Sequence, residues 1–176
     1  MHGKPHVFWL TGLPAAGKST LAQALKTQLE ARGLPSICLD GDELRKGLCS
    51  DLGFDAASRS ENLRRAGEVA RLLQGAGMNV IGAFVSPFIA DRQRVRQLFP
   101  AGDFSEVHLC TSLQACMDRD PKGLYAKAQR GELQGLTGWD APYEAPPHPE
   151  FSFDAAVMSP EQMAQQLYSR IDGGSR

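Results

Sequence analysis

The segment Gly12, Leu13, Pro14, Ala15, Ala16, Gly17, Lys18, Ser19, Thr20 constrains this chain more than any other stretch. It fits G-x-x-x-x-G-K-[ST], whose four fixed positions coincide by chance in roughly one chain in a hundred of this length. An apolar run, Val7–Thr11, leads into it. A stretch with helical spacing through Leu21, Ala24, Leu25 and Leu29 leaves it. A glycine-flanked turn between strand and helix lets backbone amides converge on a phosphate, and the helix N-terminus adds partial positive charge. Lys18 is then placed to reach the β- and γ-phosphates of ATP, and Ser19 to bind magnesium. The plainer reading is a tight turn with a surface lysine, and the strand–helix context argues against it.

The rest of the chain alternates in the same way. Strands are predicted over Ser36–Asp40, Asn79–Val85, Glu106–Cys110 and Ala155–Met158. Helices are predicted over Ser19–Ala31, Asp42–Leu48, a long segment from a Ser58/Glu61 capping box to Gly75–Gly77, Ile89–Leu98, Leu113–Met117 and from Pro160 to about Ile171. Strands separated by helices imply an α/β fold of three layers, with a central parallel sheet and helices on both faces. Ligands of such sheets bind beyond the carboxyl ends of the strands, here Thr11, Asp40 and Ser86. Residues 119–150 break the alternation. They are rich in Gly and Pro, with one short helical piece near Leu124–Arg130, and are expected to form a mobile lid. The 176 residues fit one domain, and the tail 173–176 reads as disordered.

Charge narrows the partners. Lys plus Arg number 19 and Asp plus Glu 20, for a net charge of −1, so neither nucleic acid nor a membrane surface is indicated. Any anion site must be built locally. The four cysteines form no C-x-x-C pair, and Cys38 and Cys110 read as small buried hydrophobes. The expectation is a cytoplasmic protein with no leader and no membrane span. No guanine-reading N-K-x-D and no transporter signature is present. Size, sheet pattern and lid therefore favour transfer of the ATP γ-phosphate to a small acceptor.

Four further stretches read together: Leu39-Asp-Gly-Asp-Glu-Leu-Arg45; Leu52-Gly-Phe54 with Arg59-Ser-Glu-Asn62-Leu-Arg-Arg65; Phe84-Val-Ser86-Pro87; and Arg119-Asp-Pro-Lys-Gly-Leu-Tyr125, continuing to Thr137-Gly-Trp-Asp140-Ala-Pro-Tyr143-Glu144. Their order and spacing resemble adenylylsulfate kinase, from about Val7 to Glu150. The resemblance implies a P-loop kinase, typically a homodimer, that uses ATP and Mg2+ to phosphorylate the 3′-hydroxyl of adenosine 5′-phosphosulfate (APS), giving PAPS and ADP. It implies that Lys18, Asp42, Ser86 and Lys122 act at the reacting groups. It implies an ATP site at residues 12–20 with Arg119, Ser19 and Asp40 on the metal side, and an acceptor site of Asp42, Arg45, Phe54, Arg59, Asn62, Val85, Ser86, Lys122 and Leu136.

Each assignment has a plainer counterpart. Asp40 or Asp42 suits a helix N-cap as well as metal or proton chemistry. Arg45 and Arg59 offer planar forks for a phosphosulfate but could be solvated helix faces, the reading favoured for Arg64 and Arg65 beside an ion-pair role. Ser86 precedes Pro87, which favours an extended backbone. It reads as a hydrogen-bonding group in direct in-line transfer, a covalent phosphoserine step being conceivable. Phe54 suits stacking on adenine or the core. Lys122 is placed in the lid to stabilise transferring charge.

The chain also departs from the family pattern. Leu-Pro-Ala-Ala replaces the usual Leu-Ser-Gly-Ala in the phosphate loop. Glu43, Lys46, Cys49 and Ser58 replace Asn, His, Asn and Asp. Leu136 stands where a phenylalanine forms the second wall around the acceptor's adenine. Two alternatives follow: a same-fold kinase for another nucleotide-linked acceptor, or an idle ATP-binding regulatory subunit.

Overall fold

A computed structural model describes residues 4–172. Its elements are β1 (Val7–Gly12), α1 (Lys18–Glu30), β2 (Ser36–Asp40), α2 (Gly41–Arg45), α3 (Ala56–Gly75), β3 (Asn79–Ala83), α4 (Ile89–Arg96), β4 (Phe104–Leu109), α5 (Leu113–Arg119), α6 (Leu124–Gln129), β5 (Phe151–Phe153) and α7 (Pro160–Asp172). All strand pairs are parallel, in the order β2-β3-β1-β4-β5. Register follows from burial. Val7 lies opposite both Val80 and Phe104, so β1 is covered on both sides and on both faces. Its alternate residues feed two cores, as the pleat requires. Phe8 and Leu10 join Leu21, Leu25 and Leu167 under α1 and α7, while Val7 and Trp9 join Leu63, Ala66 and Val95 under α3 and α4. Among the described residues no helix is long and apolar enough to cross a membrane. The tail 173–176 lies outside the described residues.

Three local expectations are corrected. The fifth strand is Phe151–Phe153, not Ala155–Met158. Phe-Ser-Phe alternates with period two and pairs Val107 and Leu109, whereas Asp154 turns the chain by accepting from the amides of Val157 and Met158. The Ser58/Glu61 box does not start α3. Asp55 is the N-cap and accepts from the Ser58 amide at 3.0 Å, while Glu61 pairs with Arg64 and Arg65. A reciprocal box occurs instead at α7, where Ser159 and Gln162 exchange amide hydrogen bonds. Finally, Cys110 is exposed at the exit of β4, whereas Cys49 and Cys116 are the buried thiols and Cys38 is half-buried.

Residues 130–150 contain no helix and only one bridge, Thr137 to Ala141. Side chains pin the segment down. Asp140 accepts from the amides of Gly135 and Leu136, the Tyr143 hydroxyl meets Thr11 Oγ1 at 3.0 Å, and Glu144 accepts from the Ile89 amide at 2.7 Å.

Candidate active site

At the carboxyl ends of β1, β2 and β3 opens a cleft of about 480 Å³. The loop between β1 and α1 forms one end. Gly12 is required there, since a Cβ on it would meet the Leu109 carbonyl at 2.7 Å. Gly17, the N-cap of α1, sits at φ 104, a conformation side chains disfavour. Ala15 also has positive φ, 63°. There the usual glycine is replaced, and a Cβ in the left-handed region costs about 1–2 kcal/mol. Pro14, Ala15, Gly17, Lys18, Ser19 and Thr20 line the cleft. Gly12, Leu13 and Ala16 do not. Ala16 is buried in the core, and Leu13 packs beneath Gly138 of the 119–150 segment.

Lys18 is folded onto its own loop, donating to the carbonyls of Gly12 at 2.9 Å and Leu13 at 2.7 Å. Burial opposes its charge and lowers its pKa to about 8, with Lys122 pushing the same way and Asp40 and Asp42 opposing. A phosphate group beside Lys18 would raise that pKa again. Nucleotide binding near pH 8 is therefore expected to take up protons, and affinity to fall as pH rises through 8. Calorimetry in buffers of differing ionisation enthalpy checks this, and a buffer-independent heat at pH 8 would contradict it.

Next along the cleft, Ser19 Oγ donates to Asp40 Oδ2 at 2.8 Å, and the other Asp40 oxygen accepts from the Asp42 amide at 2.9 Å. The N-cap reading of Asp40 is the one seen directly. Asp40 caps α2 and also faces the hydroxyl of the phosphate loop. This oxygen-only pair suits a hard cation held between one carboxylate and substrate phosphates. Among the described residues no group of three or more His, Cys, Asp or Glu is placed to hold a metal alone. Asp42 pairs with Lys122 from the 119–150 segment, and both side chains are largely exposed. Such a pair contributes little stability, so Lys122 can be exchanged onto another anion at small cost. Arg119 donates to the Ala155 carbonyl at 2.6 Å and lines the cleft near Gly17.

Helix α2 carries the chain from Asp42 to Arg45, which donates to the Leu52 and Gly53 carbonyls and stacks on the Phe54 ring at 4.2 Å. Phe54 is 66% exposed and belongs to the cleft, so the core reading of this residue is excluded. Arg59 reaches across to the 119–150 segment, donating to the Gly135 carbonyl at 2.7 Å and to Thr137 Oγ1. Asn62 is 5% exposed, lines the cleft, and its Nδ2 has no partner, an unmade donor that burial makes costly unless a ligand accepts it. Leu136 and Val85 complete this end. Arg64 and Arg65 face away in ion pairs with Glu61 and Asp51, as expected.

Ser86 is brought to the same cleft, but not in the extended conformation its proline neighbour implies. Its φ is +41°. Contacts from outside its own segment override the local preference. The Ser86 carbonyl accepts from Arg92 Nη1 at 2.6 Å, and Thr11 Oγ1 donates to the Val85 carbonyl at 2.7 Å. The sequence marks Thr11 only as a strand end and gives Arg92 no role at the site. Helical spacing puts Arg92 on the same face as Val95, three positions on, which is the one signal that it is buried.

The family model described as adenylylsulphate kinase matches residues 4–154. The chain belongs to the adenylylsulfate kinase family. It is 51% identical to the adenylyl-sulfate kinase of Marinobacter nauticus over 168 residues, 96% of this chain and 84% of that protein. It is equally 51% identical to the adenylyl-sulfate kinase of Vibrio cholerae, over 96% of this chain and 78% of that one. Among solved structures, the Mycobacterium tuberculosis APS kinase CysC in complex with AMPPNP and APS superposes with a TM-score of 0.92 at 41% identity, covering 97% of this chain and 99% of that one. A gluconokinase from Sinorhizobium meliloti shares the fold alone, at 18% identity and a TM-score of 0.61. The chain keeps the complete phosphate-loop pattern, with Gly12, Gly17, Lys18 and Ser19 at its fixed positions.

Proposed function

We propose that this protein transfers the γ-phosphate of ATP to the 3′-hydroxyl of APS, giving PAPS and ADP. The observation that carries the reading is one cleft holding both half-sites, joined by the contact chain Ser19–Asp40–Asp42–Lys122. The phosphate loop and Arg119 bind ATP. Lys18 leaves the Gly12 and Leu13 carbonyls for the β- and γ-phosphates. Mg2+ bound at Ser19 and Asp40 would neutralise phosphate charge. Asp42 accepts the proton of the attacking hydroxyl, and Lys122 moves onto the transferring group as residues 119–150 close as a lid. Ser86 holds the acceptor by hydrogen bonding. Arg45 and Arg59 meet its phosphosulfate, and Asn62 donates its unpartnered amide. Phe54 and Leu136 enclose the adenine, with Val85 beneath. A single domain, a homodimer and a cytoplasmic setting complete the reading. The first rests on the shared sheet and cores. The second rests on family membership. The third rests on four free thiols and ATP as donor.

The acceptor is tested by ADP release over a panel of APS and pyrimidine-linked analogues. Phe54→Ala is expected to weaken APS binding by about 1–3 kcal/mol through lost stacking, with ATP affinity unchanged. Leu136→Phe restores a second aromatic wall and is expected to hold or improve APS affinity. Clear turnover of an analogue without turnover of APS would replace the acceptor while leaving the kinase reading intact.

A further inference from the structure

Arg92 is 2% exposed, yet α4 lies outside every stretch assigned above to ATP or acceptor. A buried guanidinium is costly unless each face of its fork is used. Here it is. Nε donates to Glu106 Oε1 at 2.6 Å, Nη1 to the Ser86 carbonyl at 2.6 Å, and Nη2 to the Glu144 carbonyl at 2.7 Å. The three partners come from β4, from the exit of β3, and from the return end of residues 119–150. Two bonds from backbone amides join the same parts, from the Glu144 amide to the Pro87 carbonyl and from the Ile89 amide to the Glu144 carboxylate. Glu106 is itself held in place, its amide donating to Glu150 and its carboxylate lying 3.6 Å from Arg96.

The held segment is strained. Ser86 has positive φ without being glycine, a conformation that costs of order 1–3 kcal/mol and persists only where its surroundings over-determine it. Arg92 supplies that determination through the Ser86 carbonyl. We propose that Arg92, oriented by Glu106, is a positioning residue for the acceptor. It fixes the Ser86 turn in the cleft and ties that turn to Glu144, so that acceptor binding and the return end of the lid are coupled. The proposal rests on the reading of the Ser86 end as the acceptor half-site.

Two variants separate positioning from bulk stability. Arg92→Lys keeps the charge opposite Glu106 but cannot present a planar fork to three acceptors. Arg92→Met combined with Glu106→Leu replaces the pair by apolar side chains of similar volume, a change proteins often tolerate, while Arg96 keeps Glu150. In both, KM for APS is expected to rise about tenfold or more, with KM for ATP within about twofold. Hydrogen exchange on the wild type gives a reading independent of folding. The amides of Ile89 and Glu144 should gain protection with APS alone and not with AMPPNP alone. An unchanged acceptor KM in a folded variant, equal rises for both substrates, or protection that follows AMPPNP would overturn the proposal. Should the wild type prefer another acceptor, the same KM split is read with that acceptor, so failure of the APS assignment and failure of the Arg92 role remain distinct.

Discussion

Replacing Lys18 with alanine is expected to remove measurable turnover, a loss on the order of 10³-fold or more, in a protein that still folds. Phosphoryl transfer depends on fixed positive charge where negative charge builds up, and no other cation lies in the phosphate loop itself. The fold should survive because Lys18 serves the ligand rather than the core. Burial already depresses its pKa to about 8, so the charged form is carried at a cost. Among the described residues its hydrogen bonds run to the Gly12 and Leu13 carbonyls beside the cleft, and water can satisfy those once the ammonium is gone. Thermal melting and ADP release on the same preparation check both halves. Near-normal release by a folded Lys18→Ala protein would sink the ATP-site assignment.

What the sequence made legible follows from how local each cause is. The phosphate loop, the β2 exit with Asp40 and Asp42, and the pairing of Arg64 and Arg65 with Glu61 depend on neighbours a few residues away, and these are readable. The three-layer order was readable because apolar runs and helical spacing alternate without interruption as far as Arg119. β5 was missed because two apolar runs, Phe151–Phe153 and Ala155–Met158, compete for one slot beside β4. Pairing with Val107 and Leu109 decides between them, and that partner lies more than forty positions away. Ser86 was misjudged for a related reason. The local rule before proline is real, but a guanidinium from α4 holds the carbonyl elsewhere. Ala15 is the converse case. The substitution was visible, whereas its left-handed φ, and hence its strain, is a property of the folded loop.

Asp42→Asn is expected to lower turnover by about 10²–10⁴-fold, the range typical of a lost general base, with ATP binding largely retained. The amide keeps the size and the place of the carboxylate at the start of α2, and the cap of that helix is untouched because Asp40, not Asp42, accepts the Asp42 amide. What changes is the capacity to take a proton from the acceptor hydroxyl. The ion pair with Lys122 is also lost, and this gives the test its discrimination. If Asp42 served only to park Lys122, freeing the lysine would leave turnover intact or raise it, since the exposed pair competes with the transferring phosphate for the same ammonium. If Asp42 is the base, turnover falls although Lys122 is free. Initial rates with saturating ATP and varied APS, beside a direct nucleotide titration, separate the two. A loss smaller than about tenfold would remove Asp42 from the proton transfer and leave electrostatic stabilisation by Lys18 and Lys122 as the main source of rate.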